Sequence, residues 1–224
     1  MLLLSFLSFW HLRSTLSPVT VPAASAAPLD LPTLVGAAGW SRLPIAVQRR
    51  FDNTHADTRY TGWIDLRCSH MGRVYAGLTR LFGGPLTGIQ ADAVPTTVRV
   101  RANGDGGVVW ERCFQRDGQA NGRIVRSTKE VDAHGGLLER TDGGLSMSLD
   151  VFEEAGALVF RSRHFWLVRG RFRLPLPAWL TPGICRVVHT DLGAGLFRFT
   201  LTMVHPLWGQ TFSQSGVFAD PLTR

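Results

Sequence analysis

Five chemically capable side chains fall where strand alternation places an apolar face, Arg112, His164, His189, Asp191 and His205, and Glu139 joins them when Leu137 points inward. Burying such groups is unfavourable unless they pair with one another or line a wet pocket, so these positions are where a ligand or a reaction is to be sought. Arg112 lies between Trp110 and Phe114 on one face of a single strand. An arginine there either completes a buried ion pair, with Glu139 as partner when Leu137 points inward, or offers a charged contact to a ligand held against the two aromatics. His189 and Asp191 are neighbours on one strand face, an arrangement in which a carboxylate orients an imidazole for acid–base work. The plainer reading of His164 is a core histidine, and that of His205, just before Pro206, is a satisfied strand end.

The motifs that would fix a reaction are missing. No Gly-x-Ser-x-Gly elbow marks a nucleophile, and the glycine-rich run at Gly104-Asp105-Gly106-Gly107 suits a hairpin turn, since no helix follows it to cradle a phosphate. Cys68, Cys113 and Cys185 are far apart and in no Cys-x-x-Cys spacing, and the histidines show neither His-x-His nor His-Glu-x-x-His, so neither a metal nor a disulfide framework is expected. No cofactor is implied. The formal charge of +7 is almost wholly arginine, with Lys129 the single lysine. The arginines are scattered singly through strands rather than clustered, which argues against a nucleic-acid partner.

The elements that must position these residues are mostly strands. Leu43, Val47 and Phe51 form one stripe of a short helix, with Ser41 as its candidate N-cap, and Met71 to Phe82 carry a second helical period that Gly83-Gly84-Pro85 stops. Between them, Tyr60, Gly62, Ile64, Leu66 and Cys68 alternate as a half-buried strand. Three hairpins follow. The first joins 94–102 to 107–116 through Asn103-Gly104-Asp105-Gly106, the second 145–153 to 157–167, and the third 184–191 to 196–205 through Gly193-Ala194-Gly195. In the second, Leu145, Met147, Leu149 and Val151 face Leu158, Phe160 and Trp166, and the same parity carries Ser162 and His164 inward. The stretch from Leu174 to Gly183 is too rich in proline for a central strand and reads as a crossing loop packed by Trp179. The fold expected is α+β and mainly antiparallel β: about eight or nine strands in a strongly curved sheet or incomplete barrel with two N-terminal helices, with a two-sheet sandwich as the rival.

The order of short motifs is familiar. Leu43-Pro44 with Val47-Gln48-Arg49-Arg50-Phe51, Val94-Pro95, Trp110-x-Arg112-x-Phe114, Leu174-Pro175-Leu176-Pro177 with Trp179 and Pro182-Gly183, then His205-Pro206-Leu207-x-Gly209 with Gly216-x-Phe218 resembles the uncharacterised domain family DUF4166 over roughly residues 31–220. The resemblance implies no activity. Some similar domains are fused behind a nicotinamide-dependent reductase of the saccharopine dehydrogenase type, which implies association with an NAD(P)-dependent reductase; this chain has no Gly-x-Gly-x-x-Gly after a strand.

Residues 1–30 read as an N-terminal extension and 31–224 as one domain. Leu2 to Trp10 with Ala24-Ser25-Ala26 gives a signal-like alternative of export to a cytoplasmic location, and the apolar run is too short to span a bilayer. The functional expectation is a domain that binds a small apolar or anionic ligand, with Trp110, Arg112, Phe114, Glu139, His164 and His205 as contacts. The alternatives are an enzyme using His189 and Asp191, and a filled-core interaction domain.

Overall fold

A computed structural model describes residues 28–52, 57–82, 86–115, 122–170 and 172–221; the signal-like features at 2–26 lie outside the described residues. Alternating apolar and polar residues build the strands β1 (Thr58–Cys68), β2 (Ala91–Ala102), β3 (Val108–Phe114), β4 (Arg123–Val131), β5 (Leu137–Thr141), β6 (Leu145–Glu154), β7 (Ala157–Arg169), β8 (Phe172–Leu176), β9 (Ile184–Gly193), β10 (Leu196–His205) and β11 (Gly209–Ala219). All pairings are antiparallel. The order is β6-β5-β4-β3-β2-β1-β11-β10-β9-β7-β8, and β6 pairs with β7. Ten strands therefore close into an up-and-down barrel, and β8 is an extra strand hydrogen-bonded to β7.

The expectation of eight or nine strands in an incomplete barrel is thus corrected to a closed ring of ten plus one. Closure leaves no unpaired edge around the ring, which is the stable solution for a long curved antiparallel sheet. The strand that completes the ring is β11, paired with β1 on one side and β10 on the other. Gly216 makes that pairing possible: a Cβ there would lie 2.5 Å from the Trp63 carbonyl oxygen.

The two ends of the barrel differ. At one end sit α1 (Leu31–Val35), α2 (Ala37–Trp40) and α3 (Ile45–Phe51). The third is the first expected helix; the other two were not expected, and its N-cap residue is Pro44 rather than Ser41. Leu29, Leu31, Leu43, Val47 and Phe51 are buried in one cluster with Leu158, Phe160 and Phe197 of the barrel, so this end is plugged. Each such large side chain contributes roughly 1.5–3 kcal/mol by leaving water. At the other end α4 (His70–Thr79), the second expected helix, begins on the N-cap Ser69 and runs into a 3-10 turn at Arg80–Phe82.

β7 shows where the wall divides. Its first half pairs with β9 from Leu158 to Arg161, whereas its last residues, Phe165 to Arg169, pair with β8. Residues 177–183, with a 3-10 turn at Ala178–Leu180, cross between β8 and β9. The proline-rich stretch is therefore partly a strand; Pro175 is tolerated because β8 pairs with β7 alone. Trp179 does not pack the crossing, since its side chain is 63% exposed.

Candidate functional site

The barrel encloses a cavity of about 350 Å³, inside the range typical of small-molecule sites. Most of its wall is apolar and aromatic, including Ile64, Val98, Trp110, Phe160, Val187 and Phe199. A filled core, which a purely structural domain would require, is not what the strands build.

One polar cluster interrupts this wall. Parity on β4 turns Val125, Ser127 and Lys129 inward, and β5 presents Glu139 opposite Lys129. Lys129 Nζ lies 3.0 Å from Glu139 Oε2, Ser127 Oγ donates to Glu139 Oε1 at 2.6 Å, and Arg112 Nη2 lies 3.6 Å from that same oxygen. Arg112 also donates to Ser127 Oγ at 3.3 Å. The Lys129 ammonium stands over Trp110 and Phe160, 5.2 and 5.5 Å from the ring centroids. Burial works against the Glu139 carboxylate, yet Lys129 and Arg112 hold its pKa below the usual value. Burial also pulls Lys129 down, with Glu139 opposing. We take the pair as ionised at neutral pH, because a carboxylate 3.0 Å away stabilises the ammonium directly.

The charges around the cavity do not balance. Arg50 also lines it, but donates from Nε to Asp220 Oδ1 at 2.9 Å, and Arg126 is paired with Glu111 and Asp142. Arg112 and Lys129 share the single carboxylate of Glu139, the one acidic residue of the lining among the described residues. One positive charge is left over. Ser146 Oγ and Gln214 Oε1, also on the wall, are buried without a hydrogen-bond partner in the protein.

The expected site residues separate accordingly. Trp110, Arg112 and Glu139 line the cavity together. Phe114 is buried in the core but is not part of the lining. His164 is exposed, against expectation: the β6–β7 register shifts between Met147 and Leu149, so that Met147 opposes Phe165 and Leu149 opposes Ser162. This bulge reverses the parity beyond Ser162, bringing Phe165 and Leu167 rather than His164 and Trp166 to the cavity. His205 is buried outside the lining, its Nδ1 accepting from the Leu207 and Trp208 amides at 3.1 and 3.3 Å.

His189 lines the cavity, but no hydrogen bond joins it to Asp191, and its Nδ1 is buried without a partner. It is packed by rings instead, with Phe51 at 4.8 Å and Phe199 at 5.4 Å. Burial, then the charges of Arg50, Lys129 and Arg112, hold its pKa well below 6.5, so the native imidazole is neutral. The unfolded chain binds this proton and the native one does not, so stability is lost as pH falls below 6.5. We expect urea unfolding to show a slope of up to about 1.4 kcal/mol per pH unit below that point, absent in His189→Phe. Equal slopes in the two proteins would show that His189 is not the group. Cys185, also lining the cavity, has its thiol pushed up to about 12 by burial, which makes it a poor nucleophile.

Lys129, Ser127 and Arg50 were missed by the sequence reading. Alternation from Val125 would have found the first two, and the helical offset of three from Val47 the last.

Fold and site define a class: closed up-and-down barrels with a helical plug and an apolar cavity of small-molecule size. Within it, residues 43–218 match the model of a domain of unknown function, DUF4166, and the chain belongs to that family. No curated protein and no solved structure matches it. Among the described residues no helix is long and apolar enough to cross a membrane, and no group of histidine, cysteine or acidic side chains could hold a metal.

Proposed function

We propose that the barrel binds one small, largely apolar molecule carrying an acidic group, with its tail against the aromatic wall and its anion at Arg112 and Lys129. The uncompensated positive charge inside an apolar cavity carries this reading, because a buried cation without an anion is strongly disfavoured and an acidic ligand supplies that anion. Ser146 and Gln214 offer further polar contacts. The acid–base alternative gains no support from His189 and Asp191, which do not pair.

Lauric acid and lauryl alcohol are the probes. Calorimetric titration at neutral pH is expected to show stoichiometric binding of the acid and at least about 30-fold weaker binding of the alcohol, equivalent to about 2 kcal/mol for the charge contact. Native mass spectrometry of freshly purified protein should show an acidic molecule retained. Equal affinity for acid and alcohol would remove the role of the charge, and no binding of either would remove the ligand.

A further inference from the structure

The exposed apolar residues of this barrel are not spread evenly. They concentrate at the end where α4 lies. Leu78 and Leu81 line the cavity and yet are 55% and 81% exposed, so they form its mouth. Trp179, Leu207 and Trp208 stand beside them, 63%, 73% and 51% exposed, and none of the three lines the cavity. The segments are contiguous: Tyr75 Oη of α4 donates to the Trp179 carbonyl at 3.0 Å, and the His205 ring lies 6.1 Å from both Tyr75 and Trp208. The opposite end is closed by the α1–α3 plug.

The charge around this mouth is one-sided. The stretches 66–91, 155–190 and 192–219, which carry the patch, contain no aspartate or glutamate. They do carry exposed Arg73, Arg80, Arg169 and Arg173. Of the acids nearest this end among the described residues, Asp92 and Asp142 are paired with Arg67 and Arg126, and Asp65 accepts from the Ala93 amide at 2.8 Å. An apolar patch bearing tryptophans and rimmed by arginine fits the interface of an anionic bilayer, where indoles sit at the headgroups and arginines meet lipid phosphate. A protein partner would have to present an apolar face rimmed with acid; a bilayer offers both by its nature.

We infer that the α4 end docks on anionic lipid membrane, so that an apolar acid passes between bilayer and cavity without crossing water. This rests on the ligand reading above, and the test separates the two. The intact protein is sedimented with phosphatidylcholine vesicles with and without phosphatidylglycerol. We expect partition into the acidic vesicles, weakening as salt rises. Two variants probe the patch: Trp179→Asp with Leu207→Asp, and the charge reversals Arg80→Glu with Arg173→Glu, which are exposed and leave the core intact. Each should lower partition at least about tenfold, while lauric acid titration without vesicles stays as in wild type because none of these residues lines the cavity.

No partition of wild type into acidic vesicles overturns the inference. So does a wild-type dimer that the Asp variants dissociate, since a second copy would then cover the patch. Vesicle binding with no lauric acid binding supports the docking surface and defeats the cavity reading instead.

Discussion

Glu139→Gln should destabilise the barrel by about 3–5 kcal/mol, because it leaves the buried charges of Arg112 and Lys129 without an anion. For a chain of this size that is a fall in melting temperature of roughly 6–20 °C. The substitution keeps the shape of the side chain, so no cavity term is mixed in. It also turns a carboxylate that accepts from Ser127 and faces Lys129 into an amide that can accept at one atom only. Lys129→Met is the contrast. It leaves Glu139 with Arg112 and Ser127, a balanced pair, and should cost clearly less than Glu139→Gln. Urea denaturation of the two variants checks the order. If the lysine change proves the more damaging, the surplus of positive charge is not what governs this cluster.

A ligand effect of opposite sign follows. An acidic ligand returns an anion to the Glu139→Gln cavity, so lauric acid should raise the melting temperature of this variant by more than it raises that of wild type, by mass action on the native state. Lauryl alcohol should show no such difference.

How far the sequence reveals this cluster depends on strand parity. The three hairpins are legible because each joins two alternating runs through glycine-bearing turns, such as Asn103-Gly104-Asp105-Gly106. The closing strand β11 is not: its inward positions include Gln214 and Gly216 between Phe212 and Phe218, so two of four break the apolar pattern. Without it the ring reads as open. Parity also fails wherever a bulge intervenes, which is why His164 was placed inside and lies outside. It succeeds for Arg112 and Glu139, on strands without a register shift. Lys129 was overlooked for a different reason. A lone lysine among Ser127, Thr128 and Glu130 looks solvated, and the alternation from Val125 that turns it inward gains its meaning from the pairing of this strand with β3 and β5.

Arg112→Ala should weaken lauric acid binding by about 2–5 kcal/mol, roughly 30-fold to several thousandfold, while leaving lauryl alcohol nearly unchanged. The split between the two probes is the decisive quantity. Arg112 also lines the wall, so any change of cavity shape on truncation falls on both ligands alike and is small beside the loss of charge, which alone discriminates between them. Arg112→Lys sharpens the test further. It keeps the charge but loses the planar fork that can serve Ser127, Glu139 and a ligand carboxylate at once, so it should recover part of the lost affinity for the acid. Removing Arg112 leaves Lys129 and Glu139 as a neutral pair 3.0 Å apart, so the fold is expected to survive. Calorimetric titration of the folded variants against both probes decides the matter: parallel losses for acid and alcohol would mean that the arginine shapes the cavity and does not hold the anion.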